Sequence, residues 1–334
     1  MAVLVCGGAG YIGSHCVYEL VERGEKVIVV DNLQTGHIEA VHKDALFYEG
    51  DIRDFEFLNN VFRKHEIESV FHFAANSLVG ESVTEPLKYY NNNVYGMEVL
   101  LKAMVNNKIS KIIFSSSAAV YGEPKSIPIR ESDITEPTNP YGETKLAMEK
   151  MMKWVDRAYG IKYVSLRYFN VAGAHPNGII GEDHNPETHL IPLVLQVPLK
   201  KRDKIYVYGN DYDTKDGTCI RDYIHVMDLI DAHLLALDYL RMGNNSNIFN
   251  LGNGYGFSVN EIIKAAEEVT GFNIDKEFTS RRAGDPAVLV ASSDKAREVL
   301  GWKPQYTDIK DIISSAWEFH KNHIHGYANN YNRF

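Results

Sequence analysis

The stretch Ala2-Val3-Leu4-Val5-Cys6-Gly7-Gly8-Ala9-Gly10-Tyr11-Ile12-Gly13 decides the fold. Its first five residues are small or apolar and predict a strand buried on both faces. Glycines at 7, 10 and 13 then give GxxGxxG spacing, and the chain continues as a helix. Without Cβ atoms the backbone can turn tightly and come close to a pyrophosphate. The helix that follows would aim its free N–H groups and positive dipole end at that anion. The motif alone is weak, because a Gly-rich turn reads the same way. Its place between a first strand and a first helix is the context the chemistry needs.

Outward from this loop, strand and helix patterns alternate. Further strands are expected at Lys26 to Asp31, Leu46 to Tyr48, Ser69 to Ala74, Lys111 to Ser115 and Tyr163 to Arg167. Between them, Val94, Met97, Leu101 and Met104 form one apolar helical stripe. This alternation implies an α/β fold with a doubly wound parallel sheet of Rossmann type. After Asn170 the pattern breaks. Residues Val171 to Asn185 read as loop, Leu190 to Leu199 as a helix, Ile205 to Tyr208 and Ile248 to Leu251 as strands, and Ser258 to Thr270 and Ile309 to His323 as helices. The expected organisation is a dinucleotide-binding domain at 1–170, joined by part of 218–252, and a smaller α/β substrate domain at 171–334.

Composition narrows the function. The 334 residues carry a net charge of −9, which disfavours a general nucleic-acid binder. No apolar run approaches a membrane span, and the N-terminus opens on a strand rather than a signal peptide. The three cysteines, Cys6, Cys16 and Cys219, fit neither a zinc set nor a redox pair and suit a reducing, cytoplasmic setting. Cys6 falls in an apolar strand and is read as a core residue. His175, His184 and His189 lie nine and five residues apart in a loop, so no metal is expected.

Asp31 ends the second strand, about 20 residues past the glycines, where a carboxylate can accept from an adenosine ribose. A 2′-phosphate would meet a like charge there, and Asn32, not Arg, comes next. The cofactor reading is therefore NAD. Asp51 and Ile52 follow the third strand, where an adenine edge would lie, although Asp51 reads equally well as a helix N-cap ahead of Phe55. Tyr141-Gly142-Glu143-Thr144-Lys145 places a tyrosine and a lysine one turn apart on a helix. A phenol of pKa about 10 is a poor base at neutral pH. A nearby ammonium and a cationic nicotinamide would lower that value, giving a base for a sugar hydroxyl. Ser115-Ser116-Ser117 leaves the fifth strand at the sheet edge where ligands bind.

On these and further segments the chain resembles the extended short-chain dehydrogenase/reductase superfamily and, within it, the UDP-glucose 4-epimerases. The segments are GGAGYIG at 7–13, FSSSAAVYG at 114–122, NPYGETK at 139–145, LRYFNVAGAHPNG at 166–178, YGNDYDTKDGTCIRDYIHV at 208–226 and RRAGDPA at 281–287. The resemblance implies exchange of UDP-galactose and UDP-glucose by transient oxidation at C4. It makes Tyr141 the base, Ser117 its hydroxyl partner and Lys145 the modifier of its pKa. Gly7, Gly10, Tyr11, Ile12, Gly13, Asp31, Asn32, Asp51, Ile52, Phe73, Ala74, Ala75, Asn93, Ser115 and Tyr168, together with Tyr141 and Lys145, would line the cofactor. Asn170, His189, Leu190, Tyr206, Val207, Tyr208, Arg221, Arg282 and Asp285, with Ser117 and Tyr141, would hold the UDP-sugar. A homodimer through Asn91 to Asn106 and Tyr141 to Tyr159 is implied by the resemblance alone.

Three positions depart from some members: His189 replaces an Asn, Ser77 a Lys beside the cofactor phosphates, and Leu289 a bulkier Tyr. The last predicts room for an N-acetyl group, hence turnover of UDP-GlcNAc. The alternatives are another UDP-sugar 4-epimerase, acting on UDP-glucuronate or UDP-GlcNAc, and a non-catalytic NAD sensor, which could lose the Tyr–Lys pair. A dehydratase needs an acidic pair after the serine, and Ala118 and Ala119 stand there.

Overall fold

The computed structural model describes residues 1–282 and 285–327. In the first half, strands β1 (Ala2–Cys6), β2 (Lys26–Asp31), β3 (Leu46–Glu49), β4 (Ile67–His72), β5 (Lys111–Ser115) and β6 (Lys162–Tyr168) alternate with helices. Shorter strands follow: β7 (Asn170–Ala172), β8 (Ile205–Tyr208), β9 (Ile220–His225), β10 (Asn247–Leu251), β11 (Gly256–Ser258), β12 (Lys276–Thr279) and β13 (Val288–Leu289). The main sheet is parallel throughout, in the order β10-β6-β5-β4-β1-β2-β3. Strand order reverses between β1 and β4, which opens a crevice beyond their carboxyl ends.

Both faces are covered, so β1, β2 and β5 are largely apolar on both sides. Val5, Val17, Phe71 and Phe249 form a core on one face, beneath helices Tyr11–Glu22 and Val226–Arg241. Leu4, Leu100, Phe114 and Met148 form the other, beneath Phe55–Lys64, Gly96–Asn106 and Pro140–Tyr159. Cys6 is fully buried in this second core.

Beyond β6 the chain builds a second group of elements. β9 is flanked by β11 and β13 and also pairs with β7, while β8 pairs with β12. Helices Leu190–Leu195, Val259–Thr270 and Ile309–Asn322 enclose Ile191, Val207, Ile263 and Ile312. The helix expected to reach Leu199 stops at Leu195, because Pro198 lacks a donor and disfavours helical geometry at Val197. The fourth strand sits two residues earlier than expected: Phe73 and Ala74 leave the sheet, both donating to the Cys6 carbonyl. The long helix Val226–Arg241 carried no start signal. Its N-cap is His225, whose Nδ1 accepts from Met227 N, directly after a strand. Among the described residues no helix is long and apolar enough to cross a membrane.

Candidate active site

A cleft of about 460 Å³ runs from the glycine loop across the carboxyl end of the sheet to Arg221 and Asp285. At Gly7 (φ +80°) an added Cβ would lie 2.5 Å from Ala74 N, and at Gly13 it would lie 2.0 Å from Gly7 O. These two glycines let backbone pack on backbone. At Gly10 the only protein atom in reach is Gly7 O at 3.5 Å, so that side opens into the cleft. Gly10 is also the N-cap of Tyr11–Glu22, with no side chain over the helix end. A helix N-terminus with no side-chain cap, opening onto the cleft, fits the pyrophosphate of a dinucleotide. Asp31 stands at the edge of the same cradle. It accepts from Ala9 N at 3.0 Å and Leu33 N at 2.9 Å, and burial pushes its pKa up against those donors.

On the facing wall, the helix Pro140–Tyr159 is fixed at its start by Asn139, whose side chain accepts from Gly142 N, and by Pro140 in the first turn. Tyr141 and Lys145 therefore leave the first two turns toward the end of β5. Lys145 Nζ donates to the Ser115 carbonyl at 2.7 Å and lies 5.7 Å from the Tyr141 ring centre. Burial lowers the Lys145 pKa to about 7, and Glu149, one turn further on, opposes the fall. Glu149 is itself held by Arg167 (2.5 and 2.9 Å) and by the Ser116 hydroxyl at 2.6 Å. Burial raises the Tyr141 phenol, and a hydrogen bond with Ser117 pulls the other way. Against the expectation that Lys145 sets a low phenol pKa, burial has the larger effect and leaves the phenol above its ordinary value.

The cleft wall includes the expected residues Gly7, Gly10, Tyr11, Ile12, Gly13, Asp31, Asn32, Ile52, Phe73, Ala74, Ala75, Ser115, Ser117, Tyr141, Lys145, Tyr168, Asn170, His189, Arg221 and Asp285. Tyr11 donates to the Gly173 carbonyl at 2.6 Å, and the Ser115 and Tyr168 hydroxyls are hydrogen-bonded to each other. Asp285 is gripped from two sides, by Arg221 and by Arg282 (2.9 Å). Two guanidinium groups against one carboxylate leave net positive charge at this end.

Other expected residues lie off the wall. Asn93 is buried behind it in a π-helical turn, Tyr90–Tyr95, where its amide joins Asn76 to Thr144. Asp51 is committed to Arg53 and Asn32, which hold its pKa down to about 2, and the N-cap before Phe55 is Asp54 instead. Val207 points into the core, whereas Tyr206 and Tyr208 alternate to the exposed side of β8. Leu190 packs on the same core, and Arg282 is 62% exposed over the Tyr208 ring. Ala283 and Gly284 of the RRAGDPA segment, and residues 328–334 of the expected second domain, lie outside the described residues.

Several wall residues had no sequence signal: Gln34, Thr35, Asn92, Thr138 and Glu182. Ser77 and Leu289, noted as departures, are also on the wall, as are Ala118 and Ala119. The three histidines set aside as a metal set separate: His175 joins Glu19 at 3.1 Å, whereas His184 and His189 meet across Glu182 and Glu187. Sequence spacing could not show this, because an irregular loop makes the contact.

A family model described as GDP-mannose 4,6 dehydratase matches residues 4–315. A UDP-glucose 4-epimerase of Halalkalibacterium halodurans is 60% identical over 328 residues, 98% of each chain. The chain belongs to this family, and within it to the UDP-glucose 4-epimerases. A crystal structure of a UDP-glucose 4-epimerase superposes with a TM-score of 0.97 at 59% identity, covering 98% of this chain and 99% of that one. The Bifidobacterium longum UDP-glucose 4-epimerase, solved in complex with NAD+ and UDP, gives 0.93 at 41% identity over 98% and 100%.

Proposed function

We propose that the protein interconverts UDP-galactose and UDP-glucose by transient oxidation at carbon 4 of the hexose, with NAD resident in the cleft. The observation that carries this reading is that Tyr141 and Ser117 face the same cleft as the open side of Gly10. When bound, NAD supplies the acceptor and then the donor of the two electrons exchanged at that carbon. The chain's residues do the rest. The helix end at Gly10 and Tyr11 takes the pyrophosphate, and Asp31 the adenosine ribose. Tyr141 takes the proton of the sugar 4-hydroxyl, which Ser117 orients. Lys145, fixed by the Ser115 carbonyl, faces the phenol as its charge partner. Arg221 and Arg282 meet the UDP phosphates in place of Asp285, which turns to the uridine ribose.

The hexose is gripped less than its handle. Ala118, Ala119 and Leu289 offer it no hydrogen bond, so the oxidised sugar can turn while UDP stays clamped. The same alanine pair supplies no proton for eliminating water, which separates this chain from a dehydratase. Purified protein incubated with UDP-galactose and no added cofactor yields UDP-glucose, and denaturation releases NAD. Absence of conversion even with NAD added refutes the reading.

A second reading concerns range: Leu289 on the wall, in place of a larger ring, admits the N-acetyl group of UDP-GlcNAc. Comparing its kcat/KM with that of UDP-glucose tests this, and no detectable turnover ends it. The working form is a homodimer. Val83, Leu87, Tyr90, Tyr95 and Trp154 are exposed on neighbouring helical segments, a patch that pairing would cover. Light scattering should give twice the chain mass, and Leu87→Glu should reduce it to one. Three buried free cysteines suit the reducing cytoplasm. Residues 1–170 with part of 218–252 carry the cofactor, and the remainder the UDP-sugar.

A further inference from the structure

We propose that Glu182, His184, Glu187 and His189 form a site for one divalent transition-metal ion of the zinc class, which ties down the loop forming one wall of the cleft. Each residue offers one ligand atom, and the four atoms lie within 4.8 Å of one another. His184 Nδ1 is 3.3 Å from Glu182 Oε1 and 3.6 Å from Glu187 Oε2. His189 Nδ1 is 2.7 Å from Glu182 Oε1 and 3.4 Å from Glu187 Oε1. Ligands at 2.0–2.1 Å from a tetrahedral zinc stand about 3.3–3.4 Å apart, so the cluster already approximates that cage.

A plain ion-pair quartet is the competing account, and it would bind no ion. Glu182 Oε1 and His184 Nδ1 are buried 3.3 Å apart without a well-aligned hydrogen bond between them. The Glu182 side chain is only 4% exposed. Both imidazoles turn the same nitrogen to one carboxylate oxygen, with ring centres 5.2 Å apart. A divalent ion with two carboxylates and two neutral imidazoles leaves no net charge. Paired imidazole and carboxylate donors suit zinc, whereas magnesium and calcium prefer oxygen alone.

The outer contacts support a built site. Glu187 Oε1 accepts from Thr188 N at 2.7 Å and His189 N at 2.8 Å, which fixes one carboxylate. Asp183, between two of the ligands, accepts from Tyr327 N at 3.0 Å. Four protein ligands leave no open position, so the role is structural rather than catalytic. The chain between Gly173 and the helix at Leu190 has no regular element longer than a turn, and the ion would cross-link its end. His184 packs edge-on to Tyr11, 6.2 Å between centres, so the cross-link reaches the glycine loop.

The test uses the untagged holoenzyme, dialysed against a chelator and free of added nucleotide. Titration with Zn(II) should saturate at one equivalent per chain and raise the melting temperature by about 3–5 °C at a hundredfold excess over Kd. Co(II) in its place should give intense visible bands of tetrahedral coordination. The double variant His184→Asn/Glu187→Gln should lose at least about tenfold in affinity for either ion and lose those bands. Circular dichroism shows whether the variant folds, and the wild-type titration stands without it. Substoichiometric binding by the wild type, a Co(II) spectrum like that of the free aqueous ion, or equal binding by a folded variant would each overturn the proposal.

Discussion

Gly10→Ala separates cofactor binding from folding, because the new methyl meets the ligand space and little else. Gly10 has φ −79°, which alanine adopts without strain, and its Cβ would approach only Gly7 O, at 3.5 Å. Since no side chain caps the helix there in either protein, the folding cost stays below about 1 kcal/mol. The methyl instead stands where a pyrophosphate must come within hydrogen-bond range of the first helical N–H groups. Pushing the phosphates out forfeits about two charge-assisted hydrogen bonds of about 1.5 kcal/mol each, roughly a hundredfold in Kd. Gly13→Ala is the contrast. Its Cβ would sit 2.0 Å from Gly7 O and 2.8 Å from Gly7 C, so two backbone segments must part, at about 1–3 kcal/mol or more. Calorimetric titration of NAD into stripped protein, with urea melts of the same samples, gives both quantities. Gly10→Ala should bind NAD about a hundredfold more weakly with a wild-type urea midpoint, whereas Gly13→Ala should lose both. Wild-type NAD affinity in Gly10→Ala would refute the placement of the pyrophosphate.

Three further outcomes follow from other parts of the molecule. Tyr141→Phe should lower kcat by about 10²–10⁴ and leave UDP affinity within a few-fold of wild type; steady-state kinetics and UDP titration read the two separately. Glu149→Ala leaves the Arg167 guanidinium buried without its carboxylate and should cost about 3–5 kcal/mol in urea melts. Asp222 is fully buried, and burial raises its pKa from 3.8 to about 6 despite donors at Ala291, Asn253 and Gly254. Folding therefore favours its protonated form: the contribution is complete below pH 3.8 and lost as pH rises through 6, about 3 kcal/mol in all. Asp222→Asn does not titrate, so the stability of wild type minus variant should fall by most of that amount, about 2.4 kcal/mol, between pH 4 and 7, and a flat difference contradicts the assignment.

How much of this was legible in the sequence depended on whether a signal was local. The strand before Gly7 and the helix after it carry their own periodicity, and both lie where the residues put them. The pair Tyr141 and Lys145 needs only helical spacing and the stop at Asn139 and Pro140. An element without such punctuation was missed: the helix Val226–Arg241 starts on a histidine cap directly after β9. The strand expected at Ile248 to Leu251 is present as β10, which joins the main sheet from 79 residues beyond the end of β6 by pairing Asn247 to Val164. Roles carried over by likeness fared differently from wall to wall. Asn93 shapes the cofactor side from behind, through Asn76 and Thr144, and the alternation of β8 sends Val207 to the core and Tyr206 and Tyr208 to the surface. The cluster at Glu182 to His189 had no periodic signature, because it is made by an irregular loop folding on itself.

The electrostatics of the Tyr141 site lead to a condition on its chemistry. The same burial that raises the phenol lowers Lys145 to about 7, so the site disfavours both charged forms. A phenolate alone would be penalised by desolvation, and an ammonium alone would be too. Formed together they attract, and in a medium of low dielectric that attraction is strong. Glu149 biases the balance by favouring the charged lysine, and Arg167 holds the Glu149 carboxylate in place. On the proposed assignment of Tyr141 as the base, further positive charge and a substrate hydroxyl beside it would favour the phenolate, which ties proton removal to a filled site. Ser117 already pulls the phenol down against burial. What binding must add is charge, and Tyr141 and Lys145 lie on the wall of the one cleft that the glycine loop also borders.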